Sequence, residues 1–440
     1  MGIVAFDIDL ITGWFPETVV IVAVASVVLS VGWIDGAWKR QLLIGIPASF
    51  LLTLLTGLAI KVFDLVPAEF PRTFYLWAWL LWFSVTVVVL GWTNAHWALR
   101  TFSVLAIVFT VVAAFTVVNQ TYDYYPTLGR LLGKEAANFT DLPELKVIRT
   151  QVRETGKLPA QGSTISVQIP GKVSKFATGP AEVYLPPAWF RSPEPQLPVI
   201  ELIDGVPGEP SDWTRAAYAD TTSTAFARQH HGLSPILVMP DPVGFQTDDT
   251  ECSNSTFGNA ETYLVTDVPN YMQANFNAAV GKHSMAVAGL SAGGTCAAML
   301  ALRNPKTFST FATYSGFASP TYENDDAQQT IQQLYGGSTA NYEAHNPISL
   351  LTGKKYPGMG GWFTAGQSDT ASVQAIDQLS AAALKTGMQV CVTTPPGDHN
   401  FQFWELAFQQ SLPWMSWRLG LTPAPTDVPA HCTPPVPGTR

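Results

Sequence analysis

Hydrophobic positions along this chain follow two regimes. Up to about residue 122 they form four long apolar runs, at 18–34, 41–60, 73–99 and 101–122. Three of these carry no charged residue, and the third run holds only His96 as a group titrating near neutrality. A helix needs about 20 apolar residues to cross the hydrocarbon core, within a range of about 17–25. All four runs reach that range, the first barely. The pattern therefore predicts a four-helix transmembrane domain over residues 1–122. A signal peptide is the competing reading of the first run. Asp7, Asp9 and Glu17 stand where its basic segment would be, and no small-residue cleavage site follows. Lys39, Arg40 and Arg100 mark the first and third links, and Lys61 and Arg72 the second, where Asp64 and Glu69 offset them. That bias places both termini outside the cytoplasm.

Residues 123–162 are mixed and polar, and read as a juxtamembrane connector with some helix. Beyond them the apolar positions come in short blocks, at 165–169, 181–185, 198–203, 236–239, 284–288, 310–314, 361–365 and 388–393. The first two blocks are hairpin-like, and helical segments separate the rest. Continuous apolar strands alternating with amphipathic helices predict a mostly parallel eight-stranded sheet covered on both faces, spanning residues 163–421. Residues 422–440 form a proline-rich, irregular tail.

The most informative local pattern lies between the fifth block and the small-residue helix predicted at 292–303. It reads Gly289-Leu290-Ser291-Ala292-Gly293, of the form G-x-S-x-G. A serine on a sharp strand-to-helix turn has its hydroxyl exposed above a helix N-terminus, which is the nucleophile elbow of an α/β-hydrolase. Small residues at Gly289, Ala292 and Gly293 let such a turn fit. An elbow after the fifth of eight strands is the order of that fold.

A serine nucleophile needs a base, and the base needs an orienting acid. In this fold they follow in the order Ser, Asp or Glu, His. His345, His399 and His431 are the histidines after Ser291. His399 sits in the loop directly after the last predicted strand, where the base belongs; His345 lies in an Ala-His-Asn-Pro turn and His431 in the tail. Asp369 follows the penultimate strand and is the expected acid. Asp377 lies a helical stretch further on, and Asp398 adjoins the base. Backbone N–H groups of Val206 and Ala292 are the expected oxyanion donors. The glycines around Val206 read equally well as plain turn residues.

Composition narrows the partners. Charged residues make up only 13% of the chain, and the net charge is −9 with no basic block, which argues against nucleic acid. Mean hydropathy is +0.16, an excess located in the first third. Histidines and cysteines are not clustered at ligand spacing, so neither metal nor cofactor is expected. Cys252, Cys296, Cys391 and Cys432 all lie in the downstream domain. An even number outside the cytoplasm suggests two disulfides, with three connectivities. Cys252–Cys296 with Cys391–Cys432 is favoured because the second would staple the tail to a late strand; four reduced, buried cysteines are the alternative.

The segment from about 163 to 421 resembles the putative-esterase family of α/β-hydrolases, which includes esterase D and the antigen 85 mycolyltransferases. Leu202-Ile203-Asp204-Gly205 is similar to the family's LLDG strand-turn. Glu261-Thr262-Tyr263-Leu264 through Asp267-Val268-Pro269 is similar to its ETFL…ELP helix. Gly289 to Gly294 and the Asp398-His399-Asn400-Phe401…Trp404 run resemble its GLSxGG and GxHxxxxW patterns. The resemblance implies Ser291, Asp369 and His399 as triad, with Val206 and Ala292 as oxyanion donors. Antigen 85 proteins have no multi-helix anchor, use a glutamate as acid, and carry an arginine where this chain has Pro207 or Gly208. The architecture is more similar to uncharacterised actinobacterial membrane esterases.

The expected activity is that of a serine hydrolase anchored in a bacterial plasma membrane, multi-pass, with its catalytic domain on the outer face. Its expected partners are the lipid bilayer and a lipid or cell-envelope ester, with aminoacyl-phosphatidylglycerol one candidate. Acyl transfer of the mycolyltransferase type and a non-catalytic envelope-binding role are the alternatives.

Overall fold

The computed structural model describes residues 8–31, 38–62, 72–93, 95–133, 138–244, 249–322, 326–425 and 432. The chain divides into two compact units, Met1–Glu135 and Ala136–Arg440. The segment expected as a connector is shared between them. The link bearing Asp64 and Glu69, the histidine at 431 and most of the proline-rich tail lie outside the described residues.

Among the described residues the first unit holds four long helices, α1 (Trp14–Ser30), α2 (Trp38–Val62), α3 (Arg72–Gly91) and α4 (Trp97–Tyr122), followed by a single turn at Leu128–Leu131. Among the described residues, α2, α3 and α4 are long and apolar enough to cross a membrane, while α1 is apolar but only 17 residues long. The third and fourth helices meet at a different place from that expected at residues 99–101. α3 stops at Gly91, and the His96 ring caps α4 by accepting the Leu99 N–H at 3.3 Å. Along α2 and most of α4 the composition is inverted relative to a water-soluble bundle, while α3 buries Trp77, Phe83 and Val87. Ala23, Ser26, Gly45, Ser49, Thr53, Ala106, Thr110 and Ala113 are buried between helices, whereas Ile21, Leu43, Leu51, Leu58 and Val89 face outward. Small residues let helix backbones approach closely, which is the packing helices use where the surrounding solvent is hydrocarbon. The inward hydroxyls are satisfied locally, as in Ser103 to Leu99 O (2.8 Å) and Thr53 to Ser49 O (2.9 Å). Gln41 donates across to Val87 O at 3.3 Å, and the Trp82 indole N–H to the Thr56 hydroxyl at 2.9 Å.

The second unit is built on eight strands: β1 (Ser163–Val167), β2 (Ala181–Leu185), β3 (Val199–Ile203), β4 (Ile236–Met239), β5 (Met285–Leu290), β6 (Thr310–Tyr314), β7 (Gly360–Thr364) and β8 (Gln389–Thr393). Their order in the sheet is β1-β2-β4-β3-β5-β6-β7-β8. β2 runs antiparallel to both neighbours, and every pairing from β4 to β8 is parallel. Strands β2 to β7 are buried along their whole length, which is why their residues read as largely apolar blocks, broken by Glu182 in β2 and Glu201 in β3. Helices α5 (Leu142–Thr155), α6 (Ala219–Gln229), α7 (Val268–Phe276), α8 (Ala292–Arg303), α9 (Thr370–Leu384) and α10 (Phe401–Arg418) accompany the sheet. α5 lies within the expected connector, yet its Leu145 and Val152 belong to the same core as the strands. Upstream of it, Asn138 and Thr140 exchange backbone hydrogen bonds with Thr164, extending the β1 edge.

Two disulfides, Cys252–Cys296 and Cys391–Cys432, tie distant segments together. The first closes a separation of 44 residues and fixes the 249–253 loop to α8. In the chain-entropy picture a loop of that length stabilises the fold by about 4 kcal/mol.

Candidate active site

The site begins where β5 ends. Ser291 has φ 54° and ψ −125°, a left-handed conformation that costs a non-glycine residue about 1–3 kcal/mol and persists only where its surroundings impose it. Those surroundings are specific. Ser291 N–H donates to Tyr314 O of β6 at 2.8 Å, and its own carbonyl accepts Gly294 N–H at 2.9 Å as α8 starts. The turn crosses the end of β3 so closely that a Cβ on Gly293 would sit 2.2 Å from Asp204 O, and one on Gly289 would sit 2.0 Å from Gly293 O. Only glycine fits either position, and the backbone between them is forced to lift the serine out of the sheet.

The imidazole of His399 arrives from the loop after β8. His399 directs Nε2 to Ser291 Oγ at 2.9 Å and Nδ1 to Asp369 Oδ2 at 2.7 Å. Asp369 follows β7 and caps α9, its other oxygen accepting Ser372 N–H at 3.2 Å. Burial, the largest single effect on this carboxyl, would raise its pKa. The hydrogen bond and charge of His399, together with Ser372, outweigh it and hold the group below its usual range. Asp369 is therefore an anion facing Nδ1–H, which leaves Nε2 as the acceptor for the serine proton. The imidazole is flanked by Phe317, nearly parallel at 6.2 Å, and by Trp404, edge-on at 5.1 Å.

The structure brings Ser291, His399 and Asp369 into one hydrogen-bonded line and leaves the other candidates outside it. The carboxylate of Asp398 accepts the backbone N–H of His399 and does not reach the ring. Asp377 is exposed on α9. His345 lies against Glu261 at 3.3 Å. Ala292 begins α8 directly beneath the serine, with its N–H at the helix N-terminus. A Cβ placed on Gly205 would lie 3.1 Å from Ser291 Cβ, so the Gly205-Val206 backbone passes beside Ser291 from the end of β3. Cys296 lies on the same helix as Ala292, joined to Cys252.

Buried carboxyls beneath this end of the sheet were not singled out from the sequence, although an acid inside an apolar block is itself a signal. Glu201 and Asp204 are almost fully buried, with no hydrogen-bond partner among the described residues for their side-chain oxygens. Burial pushes both well above the carboxylate range, and for Asp204 the neighbouring Asp212 and Asp241 add to it. Burial likewise raises Glu182 to about 7 and Asp220 to about 6. Such groups keep more protons in the folded chain than in the unfolded one, so stability falls as pH rises from about 4.5 through 7. Glu261 opposes this at the acid end. Burial would raise it, but hydrogen bonds from His345, Arg303 and Asn304 hold it at about 2, so its stabilisation is lost as pH falls below about 4.5. Thermal unfolding of the full chain in detergent should therefore show greatest stability near about pH 4.5, with the midpoint dropping several degrees by about pH 8. A midpoint that is flat or rising over that interval would contradict the assignment of neutral buried acids.

Comparison with known proteins agrees with this architecture. The family model described as Putative esterase matches residues 179–415. An uncharacterized protein of Corynebacterium glutamicum is 32% identical over 374 residues, covering 82% of this chain and 85% of the relative. That match is longer than the second unit, so it takes in part of the helical unit as well. Among solved structures, an S-formylglutathione hydrolase from Agrobacterium tumefaciens superposes with a TM-score of 0.51 at 16% identity, covering 60% of this chain and 98% of that one. A ferulic acid esterase superposes with a TM-score of 0.50 at 17% identity, covering 59% of this chain and 99% of that one. At these identities the two structures establish the fold alone, the α/β-hydrolase fold. The chain belongs to the Putative esterase family and is a carboxylic-ester hydrolase carried on a protein with apolar N-terminal helices.

Proposed function

We propose that this protein is a membrane-anchored serine esterase acting outside the cytoplasm of a bacterial cell on a lipid or cell-envelope ester. The observation that carries the reading is the unbroken line Ser291 Oγ–His399 Nε2 and His399 Nδ1–Asp369 Oδ2, at 2.9 and 2.7 Å, formed by residues that follow β5, β7 and β8 of a mostly parallel sheet. In the proposed mechanism Ser291 Oγ attacks the acyl carbon while His399 Nε2 takes its proton. Asp369 stabilises the imidazolium, and the Val206 and Ala292 N–H groups receive the charge on the carbonyl oxygen. The tetrahedral intermediate collapses when His399 returns the proton to the leaving alcohol. Water, activated by the same imidazole, then cleaves the acyl-enzyme.

The membrane part of the proposal rests on α2, α3 and α4, with α1 as a fourth span, and on the small residues that α2 and α4 turn inward while large apolar ones face outward. The outer location rests on the two disulfides, which persist in oxidising compartments, and on the weak Lys/Arg bias of the links. A domain held at the bilayer meets lipid and envelope esters at high local concentration, which makes these the substrate class, aminoacyl-phosphatidylglycerol among them. Neither nucleic acid nor a metal has a part in this mechanism.

Labelling intact cells with a membrane-impermeant fluorophosphonate tests nucleophile and location together. The native chain should be labelled and the Ser291→Ala chain should not. Labelling that appears only after lysis would reverse the orientation and keep the esterase. No labelling of folded protein in either condition would remove Ser291 as an activated nucleophile.

A further inference from the structure

Between β6 and the short helices that follow it, three successive residues are held unusually tightly. Ser315 adopts φ 53°, its N–H donating to Thr364 O at 2.8 Å and its carbonyl accepting the Ser372 hydroxyl at 3.0 Å. Gly316 has no room for a side chain: a Cβ there would lie 2.2 Å from Thr313 Oγ1 and 2.9 Å from Thr295 N. Phe317 then donates its backbone N–H to Thr295 Oγ1 at 2.8 Å. Thr295 is buried on α8, one turn after Ser291, and its own N–H reaches Ser291 O at 3.3 Å. Beyond the turn the Phe317 ring lies 20° from parallel with the imidazole of His399.

We infer that Phe317 is a positioning residue for the His399 imidazole and that Thr295 sets it, so that the helix carrying the nucleophile also orients the base. This rests on the Ser291–His399–Asp369 reading. Without such a stop the imidazole is fixed by its Nδ1 bond and by Trp404, and can still swing about that bond. A ring stacked against it limits the swing and keeps Nε2 within reach of two different oxygens in turn, Ser291 Oγ and the alcohol that leaves. The second transfer is the more exposed to misplacement, because the leaving oxygen belongs to a mobile substrate.

Leaving-group dependence separates positioning from mere support of the fold. A p-nitrophenolate departs with little help from a proton, whereas an alkoxide must be protonated as the bond breaks. The full chain in detergent is assayed for kcat/KM on p-nitrophenyl butyrate and ethyl butyrate. Phe317→Ala should lose about tenfold more on the ethyl ester than on the nitrophenyl ester, a part of the roughly 10²–10⁴-fold that general acid catalysis contributes. Phe317→Tyr should restore the ratio and Phe317→Leu should not. Thr295→Val should shift the ratio in the same direction, and Thr295→Val with Phe317→Ala should be no worse than Phe317→Ala alone. Equal losses on both esters, full rescue by leucine, or multiplying effects in the double variant would each overturn the inference. Ser291→Ala serves as the control: hydrolysis persisting there would defeat the underlying triad first, and the inference with it.

Discussion

Ser291→Ala is expected to lower ester turnover by about 10⁴–10⁶-fold, the range seen when a serine nucleophile is removed from a base that depends on it. The same substitution should leave the fold intact. Among the described residues the hydroxyl has one partner, His399 Nε2, and the backbone bonds that hold the turn, to Tyr314 O and from Gly294 N, do not involve it. The strain at φ 54° belongs to the backbone and remains with alanine, so no new cavity or unsatisfied group is created. The thermal midpoint should stay within about 2 °C of the native value, since substitutions away from packing and caps usually change stability by about 0.5 kcal/mol or less. Rate and stability measured on one preparation decide the matter. Turnover within about tenfold of the native chain would exclude Ser291 as nucleophile, because the oxyanion donors alone supply only the residual rate.

Much of the fold was legible because its signals are local. Continuous burial wrote β2 to β7 into the sequence as apolar blocks, and the close passage of β5, the turn and α8 wrote itself as glycine and alanine. The site was legible in part for a related reason. The loops after successive strands were where an acid and a base were expected, and the structure places Asp369 and His399 there, with His399 between Asp369 and Ser291. Other features depend on contacts that no local pattern records. The boundary between α3 and α4 is set by Gly91 and by a histidine cap within an otherwise unbroken apolar run. Helix α5 looked like connector because its charged face dominates a short segment, although Leu145 and Val152 complete the core. Phe317 and Thr295 are unremarkable residues in sequence, 22 positions apart, and acquire meaning only through the crowding at Gly316.

The largest expected loss of stability comes from Arg303→Met. Arg303 ends α8, and its guanidinium holds Glu261 through two bonds, Nε to Oε1 at 2.8 Å and Nη2 to Oε2 at 3.1 Å, while Nη1 reaches Ala344 O at 2.6 Å. The Asn304 side chain adds a third donor to the same carboxylate at 3.0 Å, and His345 approaches it at 3.3 Å. Glu261 is 6% exposed, so this clamp is a buried one. It fastens the segment before α7 and the short helix Thr339–His345 to the far end of the nucleophile helix. Removing the arginine leaves a buried carboxylate short of its strongest partner, a loss of about 3–5 kcal/mol in comparable pairs. Removing both charges, Glu261→Leu with Arg303→Met, should cost less than Arg303→Met alone, because the desolvation of the stranded carboxylate disappears with it. The acid limb of the stability profile supplies a second reading. Native Glu261, held at about 2, contributes stability above about pH 4.5 that drains away as the pH falls. In Arg303→Met the carboxyl should titrate higher, so acid should weaken the variant less steeply than the native chain and bring the two closer together. Thermal midpoints of the native chain, Arg303→Met and the double variant at about pH 3, 5 and 7 contain the whole test. Parallel profiles, or a double variant that is the least stable of the three, would show that the clamp is incidental to the fold.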